Sequence, residues 1–452
     1  MKHPFYTAVS ALFLLAGLLP AQQAGDLERR IAELEQKMRL IDPAFGPGSR
    51  ALDLAQRIEA LEAKMQAMAP AQPAPPVQQA VVASSDQPRP AISAVSVTGD
   101  YQASASRETN LPIAGYMDLH LNKDKGDPFR PDFHRFVLLF GHSFSDRIKF
   151  WSELELEHSM IEGGEGGELA LEQAYLDFLI KPWFNLRAGM LLTPVGIVNE
   201  RHEPPSFNGV ERPFVETLII PTTWRELGAG ITGDLGRGFR YRAYLTSALN
   251  ATGFNAEEGI TGGRNNGFEA SFRNPAKVAR LEYAGTRRLM LGASIYSGHT
   301  GFDVPGLNPR ITIGEFDGRY RFRRVDLRGL FANTWVSRAG ELNYRMTLQT
   351  GTNPNVASQM RGYYLEPGLH VLPQGLRSDL IVFGRYEKFN TQHRMPEGYV
   401  PLAQFNRSAW VTGLTYKPNA DVAIKFDYIF NRSASTVVRR PDGINFGIGW
   451  WF

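Results

Sequence analysis

The sequence predicts an all-β chain: a transmembrane antiparallel β-barrel of about 16 strands, preceded by a short N-terminal α-helical coiled coil. Three observations lead there. Beyond Pro112, apolar and polar residues alternate with a period of two; the connections between these stretches are by turns short and long; and the chain closes on an aromatic strand ending in Trp450, Trp451 and Phe452.

Residues 1–24 read as a secretory signal peptide. Lys2 and His3 precede an apolar stretch from Phe5 to Leu19, and small residues follow at Pro20, Ala21 and Ala24. The apolar stretch is shorter than the ~20 residues a spanning helix needs. The mature chain is therefore expected to begin near Gln22 or Gly25. Cysteine is absent, which excludes disulfides, thiolate nucleophiles, iron–sulfur clusters and lipoprotein anchoring. The formal charge of +3 over 452 residues predicts no acidic or basic partner, and no nucleic acid is expected. Only 11 of the 49 basic residues are Lys, leaving 38 Arg, a bias toward fixed planar contacts with carboxylates and phosphates.

Residues 25–68 carry two heptad seams. Leu27, Ile31, Leu34, Met38 and Ile41 form the first; Pro43, Gly46, Pro47 and Gly48 interrupt; Leu54, Ile58, Leu61, Met65 and Met68 form the second. Each seam is too short to be stable alone. The segment is therefore either a self-association element, an antiparallel hairpin or a loosely ordered spacer. Residues 69–111, rich in Pro, Ala and Gln, read as an extended linker. Its part near Val95, Val97 and Tyr101 is also compatible with packing on the barrel wall or entering the lumen.

Within the barrel, 112–452, the expected strands run 112–122, 132–144, 147–160, 168–181, 183–192, 224–234, 238–249, 276–285, 288–298, 310–322, 324–337, 361–372, 377–390, 405–417, 421–432 and 443–452. Val422, Ile424, Phe426, Tyr428 and Phe430 show the alternation clearly, as do Ile444, Phe446, Ile448, Trp450 and Phe452. A soluble sandwich shares that period but has no reason to segregate loop length by side. Trp450 and Phe452, on the outward parity, are read as the assembly signal.

Chemistry-bearing patterns are few. Gly228 to Gly233 matches GxGxxG, but inside a strand and without a βαβ unit its glycines serve close packing rather than a nucleotide. His202 beside Glu203 offers two donors, which do not make a metal site. No catalytic set, cofactor or metal is expected. Loop 193–223 is the informative connection. Val195, Ile197, Phe207, Phe214, Leu218, Ile219 and Ile220 make it too apolar for open water, so it is expected to fold inward, with Arg201, His202, Glu203, Glu211 and Arg212 at a constriction. A lid or inter-subunit latch is the alternative. A second feature is the set Arg187, Arg240, Arg242, Arg280, Arg319, Arg321, Arg328 and Arg385, all at lumen-facing parity beside Glu153, Glu155, Glu157, Glu282, Glu315, Asp317, Asp326, Glu387 and Asp427. They form either a neutralised network stiffening the wall or a directional field along an anion path.

The run Leu186-Arg187-Ala188-Gly189-Met190, then Thr193-Pro194-Val195-Gly196, then Glu211-Arg212-Pro213-Phe214, resembles the phosphate-selective porin O and P family. The stretch Leu227 to Leu235 and the C-terminal aromatic belong to the same pattern. The resemblance spans the barrel. It implies a homotrimer in the bacterial outer membrane with its N-terminal segment in the periplasm, loop 193–223 constricting the pore. It also implies contact with outer-membrane lipid and lipopolysaccharide, and folding by the barrel-assembly machinery. Phosphate-specific members are similar in fold and use a lysine cluster at the constriction. Here loop 193–223 holds no Lys, and Glu200, Glu203, Glu211 and Glu216 outnumber Arg201 and Arg212. The function expected is passive diffusion of small hydrophilic solutes, anions and phosphate among them, through a water-filled pore. The alternative is a structural outer-membrane anchor tethered to the periplasm through the coiled coil.

Overall fold

The computed structural model describes residues 114–452 except 163–164, 269, 271 and 301–305. The signal peptide, coiled coil and linker expected within residues 1–111 lie outside the described residues.

Sixteen strands follow one another: β1 (Ala114–Asp124), β2 (Arg130–Ser143), β3 (Ile148–Glu162), β4 (Glu165–Lys181), β5 (Phe184–Leu192), β6 (Arg225–Gly236), β7 (Phe239–Thr246), β8 (Ala276–Thr286), β9 (Leu289–His299), β10 (Arg310–Phe322), β11 (Val325–Val336), β12 (Gln359–His370), β13 (Asp379–Arg394), β14 (Asn406–Lys417), β15 (Val422–Ser433) and β16 (Gly443–Trp451). Each pairs antiparallel with its sequence neighbours, and β1 pairs with β16, so the sheet closes and has no edge.

Closure runs through the last residue. Phe452 N–H donates to Gly115 O at 2.9 Å, and Gly115 N–H donates back to Phe452 O at 3.1 Å. The Phe452 ring stacks on Phe136 of β2 with centroids 5.8 Å apart, while Trp451, of opposite parity, packs against Tyr116 at 5.2 Å. The same parity holds around the wall. Leu171, Leu245, Ile295, Phe316, Phe331, Leu365 and Trp410 stand exposed on the outside, whereas Glu153, Arg280, Glu282, Asp317, Arg385 and Glu387 are buried inside. Apolar-out and polar-in is the reverse of a soluble barrel and suits a wall surrounded by hydrocarbon.

Among the irregularities in strand pairing, two β-bulges change which residues face the lumen beside the inserted loop. On β2, Arg135 faces Asp118 and Phe133 faces Leu119, which leaves His134 as the extra residue. On β4, Gln173 faces Glu153 and Leu171 faces Leu154, leaving Glu172 extra. A bulge lets two consecutive residues share one face. Glu172 and Gln173 are accordingly both buried in the lumen.

The alternation of connection length differs from the sequence reading at one place. On the long-loop end the first two connections are only 125–129 and 163–164. There β3 and β4, at 15 and 17 residues, extend as a tall hairpin in place of loops. A second difference lies in 338–360, which carries a helix, α1 (Ala339–Thr350). Ala339, Leu342 and Met346 recur at three and four residues and are buried, and Gly351, at φ 75°, ends the helix in the left-handed region. So short a stripe is easily missed in a chain otherwise read for period two.

Because the Phe452 backbone completes the β1–β16 ladder, deleting Phe452 is expected to abolish the heat-modifiable, compact form of the protein on electrophoresis. Undiminished heat-modifiable barrel in outer-membrane fractions after the deletion would show that the terminal residue is dispensable for closure.

Candidate pore constriction and its vestibules

Loop 193–224 leaves β5 at its long-loop end and turns back into the lumen. Gly196 makes the bend at φ 85°. A Cβ there would lie 2.6 Å from Glu216 Oε2. A loop inside a barrel must find partners for its backbone polar groups, and here wall side chains supply them. Acids accept from its amides: Gly196 N–H donates to Glu315 at 3.3 Å, Val210 N–H to Asp427 at 2.7 Å and Val215 N–H to Glu387 at 3.2 Å. Hydroxyl and ammonium groups donate to its carbonyls: Thr415 to Asn208 O at 2.6 Å, Lys417 to Pro205 O at 2.6 Å, Lys425 to Gly209 O at 2.7 Å and Thr334 to Ile219 O at 3.1 Å. The loop's apolar side chains Val195, Ile197, Val215, Ile219 and Ile220 pack with wall residues Tyr175, Tyr296, Ile313 and Tyr364 in one core. Each fully buried side chain of this size contributes about 1.5–3 kcal/mol.

Glu216 joins the two parts. Its buried carboxylate accepts from Val198 N–H at 2.7 Å and from the Tyr364 hydroxyl at 2.7 Å. Burial pushes it up from 4.5 to about 7, although both hydrogen bonds pull the other way.

The five residues read as constriction lie on this loop as follows. Arg201 donates to Glu282 at 2.9 Å. His202 is fully enclosed, Nδ1 facing Asn199 O at 3.1 Å and Nε2 facing Glu172 at 3.0 Å. Glu203 is buried, and burial raises its carboxyl above the usual range. Glu211 accepts from Asn122 at 2.8 Å and lies 3.1 Å from His120 Nδ1. Arg212 donates through Nη1 to the hydroxyls of Thr222 and Thr223, each at 2.6 Å.

Most of the lumen-facing arginines are engaged by acids of the wall or of the inserted loop. Arg187 meets Asp177 at 2.7 Å, Arg319 meets Asp326 at 2.5 Å, and Arg242 meets Glu200 at 3.2 Å. Arg280 reaches Asp317 at 2.6 Å and Glu315 at 3.3 Å; Arg385 reaches Glu387 at 2.7 Å and Glu366 at 3.0 Å. Arg240 lies 3.8 Å from Asp234, Arg328 donates to Ser206 O at 3.1 Å, and Arg321 faces His370 at 3.5 Å. Gly230, from the GxGxxG match, faces Tyr244 across β6 and β7; a Cβ there would come within 2.7 Å of the Tyr244 ring.

Two cavities flank the loop. The larger, about 1010 Å³, opens toward the long-loop end and is bordered by His202, Glu211 and Arg212; the smaller, about 310 Å³, opens toward the short-turn end and is bordered by Arg187, Glu200 and Arg201. The larger is unevenly charged. Asp118, Asp124, Glu155, Glu157 and Glu168 line the arc β1–β4 beside Arg130 and Arg135, while Arg225, Arg264, Arg407, Arg432 and Arg440, with Glu257 and Glu258 among them, come from β6, the connection after β7, β14, the end of β15 and the connection before β16. Arg212, Arg225 and Arg264 converge on one short backbone segment. Arg225 donates to Thr223 O at 3.5 Å, and Arg264 donates to Thr222 O. Thr223 itself has φ 45°, an uncommon strained conformation for a β-branched residue. Among the described residues, the one acid within 4.0 Å of these three guanidinium groups is Glu168, at 3.7 Å from Arg225. Arg212 Nη2 and Arg225 Nε are buried without a hydrogen-bond partner. The sequence reading did not single out Arg225, Arg264, Arg135 or Glu172. Arg225 and Arg264 are joined to Arg212 only by the path of the loop, and Arg135 and Glu172 sit at bulges that period-two parity cannot register.

A closed sixteen-stranded antiparallel barrel with its third long-end connection folded into the lumen is a porin-like fold. The OmpF structure of Salmonella typhi in complex with daunomycin shares it, at a TM-score of 0.51 and 13% identity over 75% of this chain and 97% of that one. The anion-selective porin from Comamonas acidovorans aligns at a TM-score of 0.49 and 14% identity, over 75% of this chain and 98% of that one. Likeness at such identity speaks to the fold alone. No family model matches the sequence. The chain belongs to the same family as a protein of Aquifex aeolicus (strain VF5), described only as uncharacterized, with which it is 38% identical over 329 residues, 71% of this chain and 75% of the relative.

Two expectations follow from the loop contacts. Glu216 is held above its unfolded value, so its neutral form stabilises the packed loop below about pH 4.5 and that contribution is lost as pH rises through about 7. The full difference is about 3 kcal/mol. The protection factors of the loop amides, which remove the intrinsic rise of exchange with pH, should fall across that range, and Glu216→Gln should flatten the dependence. Separately, Arg280→Ala would leave Glu282, Glu315 and Asp317 without their shared cation. Urea unfolding in detergent should then show a loss of roughly 3–5 kcal/mol.

Proposed function

We propose that the protein is a bacterial outer-membrane porin through which small hydrophilic, anionic solutes, phosphate among them, diffuse passively. The observation that carries this reading is the cluster Arg212, Arg225 and Arg264 at the constriction lip, where Glu168, 3.7 Å from Arg225, is the one carboxylate close to three guanidinium groups, whereas Arg187, Arg280 and Arg385 deeper in the wall have acids at 2.7, 2.6 and 3.0 Å. A guanidinium cannot shed its proton at physiological pH, so three such groups with one carboxylate close to them leave a standing positive potential. That potential reaches about 10 Å at 0.1 M salt and draws anions to the narrowest part of the path. Planar N–H forks also match carboxylate and phosphate oxygens. In this reading the apolar outer face meets outer-membrane lipid and lipopolysaccharide, the barrel-assembly machinery reads the C-terminal strand, and the working form is a homotrimer.

Planar-bilayer recording tests it. The protein should give open-channel steps, and its reversal potential in a salt gradient should indicate anion preference that weakens as salt rises. Replacing Arg212, Arg225 and Arg264 together with Ala should move the reversal potential toward cations, whereas Arg187→Ala, which breaks a wall pair, should change it little. Absence of open-channel steps would contradict a porin, and an unchanged reversal potential in the triple variant would contradict the role given to the cluster.

A further inference from the structure

His202 carries the loop against the wall at a point where three elements meet. Its Nε2 lies 3.0 Å from Glu172 Oε2 and 3.7 Å from Glu153 Oε1, with the Tyr116 hydroxyl also at 3.0 Å. The donor atoms of Glu153, Glu172 and His202 fall within 4.8 Å of one another, and all three side chains are fully buried. Tetrahedral coordination at about 2.0–2.2 Å places neighbouring donors about 3.3 Å apart, close to what these contacts show.

Three features mark this as more than an ion pair. His202 Nδ1–H donates to the Asn199 carbonyl at 3.1 Å, which orients the ring and turns Nε2 toward the two carboxylates, so that an ion displacing the Nε2 proton would find the ring already aimed, as outer-shell carbonyls do for metal-bound imidazoles. Glu172 is the bulge residue of β4, delivered into the lumen by the extra residue, and its Oε1 is buried without a hydrogen bond. His202 also borders the larger cavity, which gives an ion a route in. The neighbouring group Asp118, His120 and His134 contrasts with it. There the two imidazoles stack at 4.4 Å and 12°, so their lone pairs run parallel, and Arg135 Nη2 sits 3.0 Å from His134 Nε2.

We infer that Glu153, Glu172 and His202 form a site for a first-row divalent transition cation of the Zn²⁺ type, which clasps the constriction loop to the β3–β4 wall. One imidazole and two carboxylates suit Zn²⁺ and its neighbours, while the absence of thiolates excludes the softest ions. The ion would replace a long-range contact between loop and wall with coordinate bonds, so its occupancy would set how firmly the constriction is held.

The test uses the full mature protein in detergent, stripped with chelator, loaded with ZnCl₂ and passed over a desalting column before metal analysis. One zinc per chain is expected. Glu172→Gln and His202→Ala, checked as folded by heat-modifiable migration, should hold none, and the double variant His120→Ala with His134→Ala should keep it. X-ray absorption of the zinc-loaded unmodified protein, which needs no variant to fold, should show a single imidazole among oxygen ligands. Failure to retain zinc, retention by folded Glu172→Gln, loss in the double variant, or a spectrum with no imidazole or two would each overturn the assignment. None of these results depends on whether the pore prefers anions.

Discussion

Every strand of this chain is subject to one constraint: in hydrocarbon no backbone N–H or C=O can be left without a partner, so the wall must close on itself. The β1–β16 ladder, finished by the paired bonds between Gly115 and Phe452, removes the two edges that an open sheet would expose. Once closed, the wall has only two faces. Strand alternation then sends most apolar residues outward and most charged groups into the lumen, where they must be neutralised at close quarters.

The lumen answers that demand with two devices. Along the wall, arginines and acids pair at short range, Arg187 with Asp177, Arg280 with Asp317 and Glu315, Arg385 with Glu366 and Glu387. Toward the inserted loop, wall acids such as Asp427 and Glu387 instead accept from loop amides, and Lys417 and Lys425 donate to loop carbonyls. The same carboxylates therefore stiffen the barrel and satisfy a backbone that has left the sheet. The loop is held less by its own conformation than by the charges it neutralises, with Glu216 as an acid buried among apolar groups between them.

Charge pairing is incomplete where the loop rejoins the barrel. Thr222 and Thr223 attract three guanidinium groups to one strained corner, and the β2 and β4 bulges bring His134, Arg135, Glu172 and Gln173 to the facing arc. Irregular backbone thus occurs at the level of the constriction, where side chains must be re-aimed rather than merely packed.

Local pattern was enough to establish much of this architecture. The period of two gave the wall its inner and outer faces, because successive strand side chains point opposite ways whatever the strand pairs with. Unequal connections gave the even strand number, and Val195, Ile197, Ile219 and Ile220 marked a connection unsuited to open water. The partners of the charges could not be read that way. Whether Arg187 or Arg212 is neutralised depends on which residues register brings beside it, and bonds such as Val210 to Asp427 join positions 217 residues apart. The bulges at His134 and Glu172 shift parity by one residue without a sequence mark, so the convergence of Glu153, Glu172 and His202 existed only once the barrel had closed and the loop had entered it.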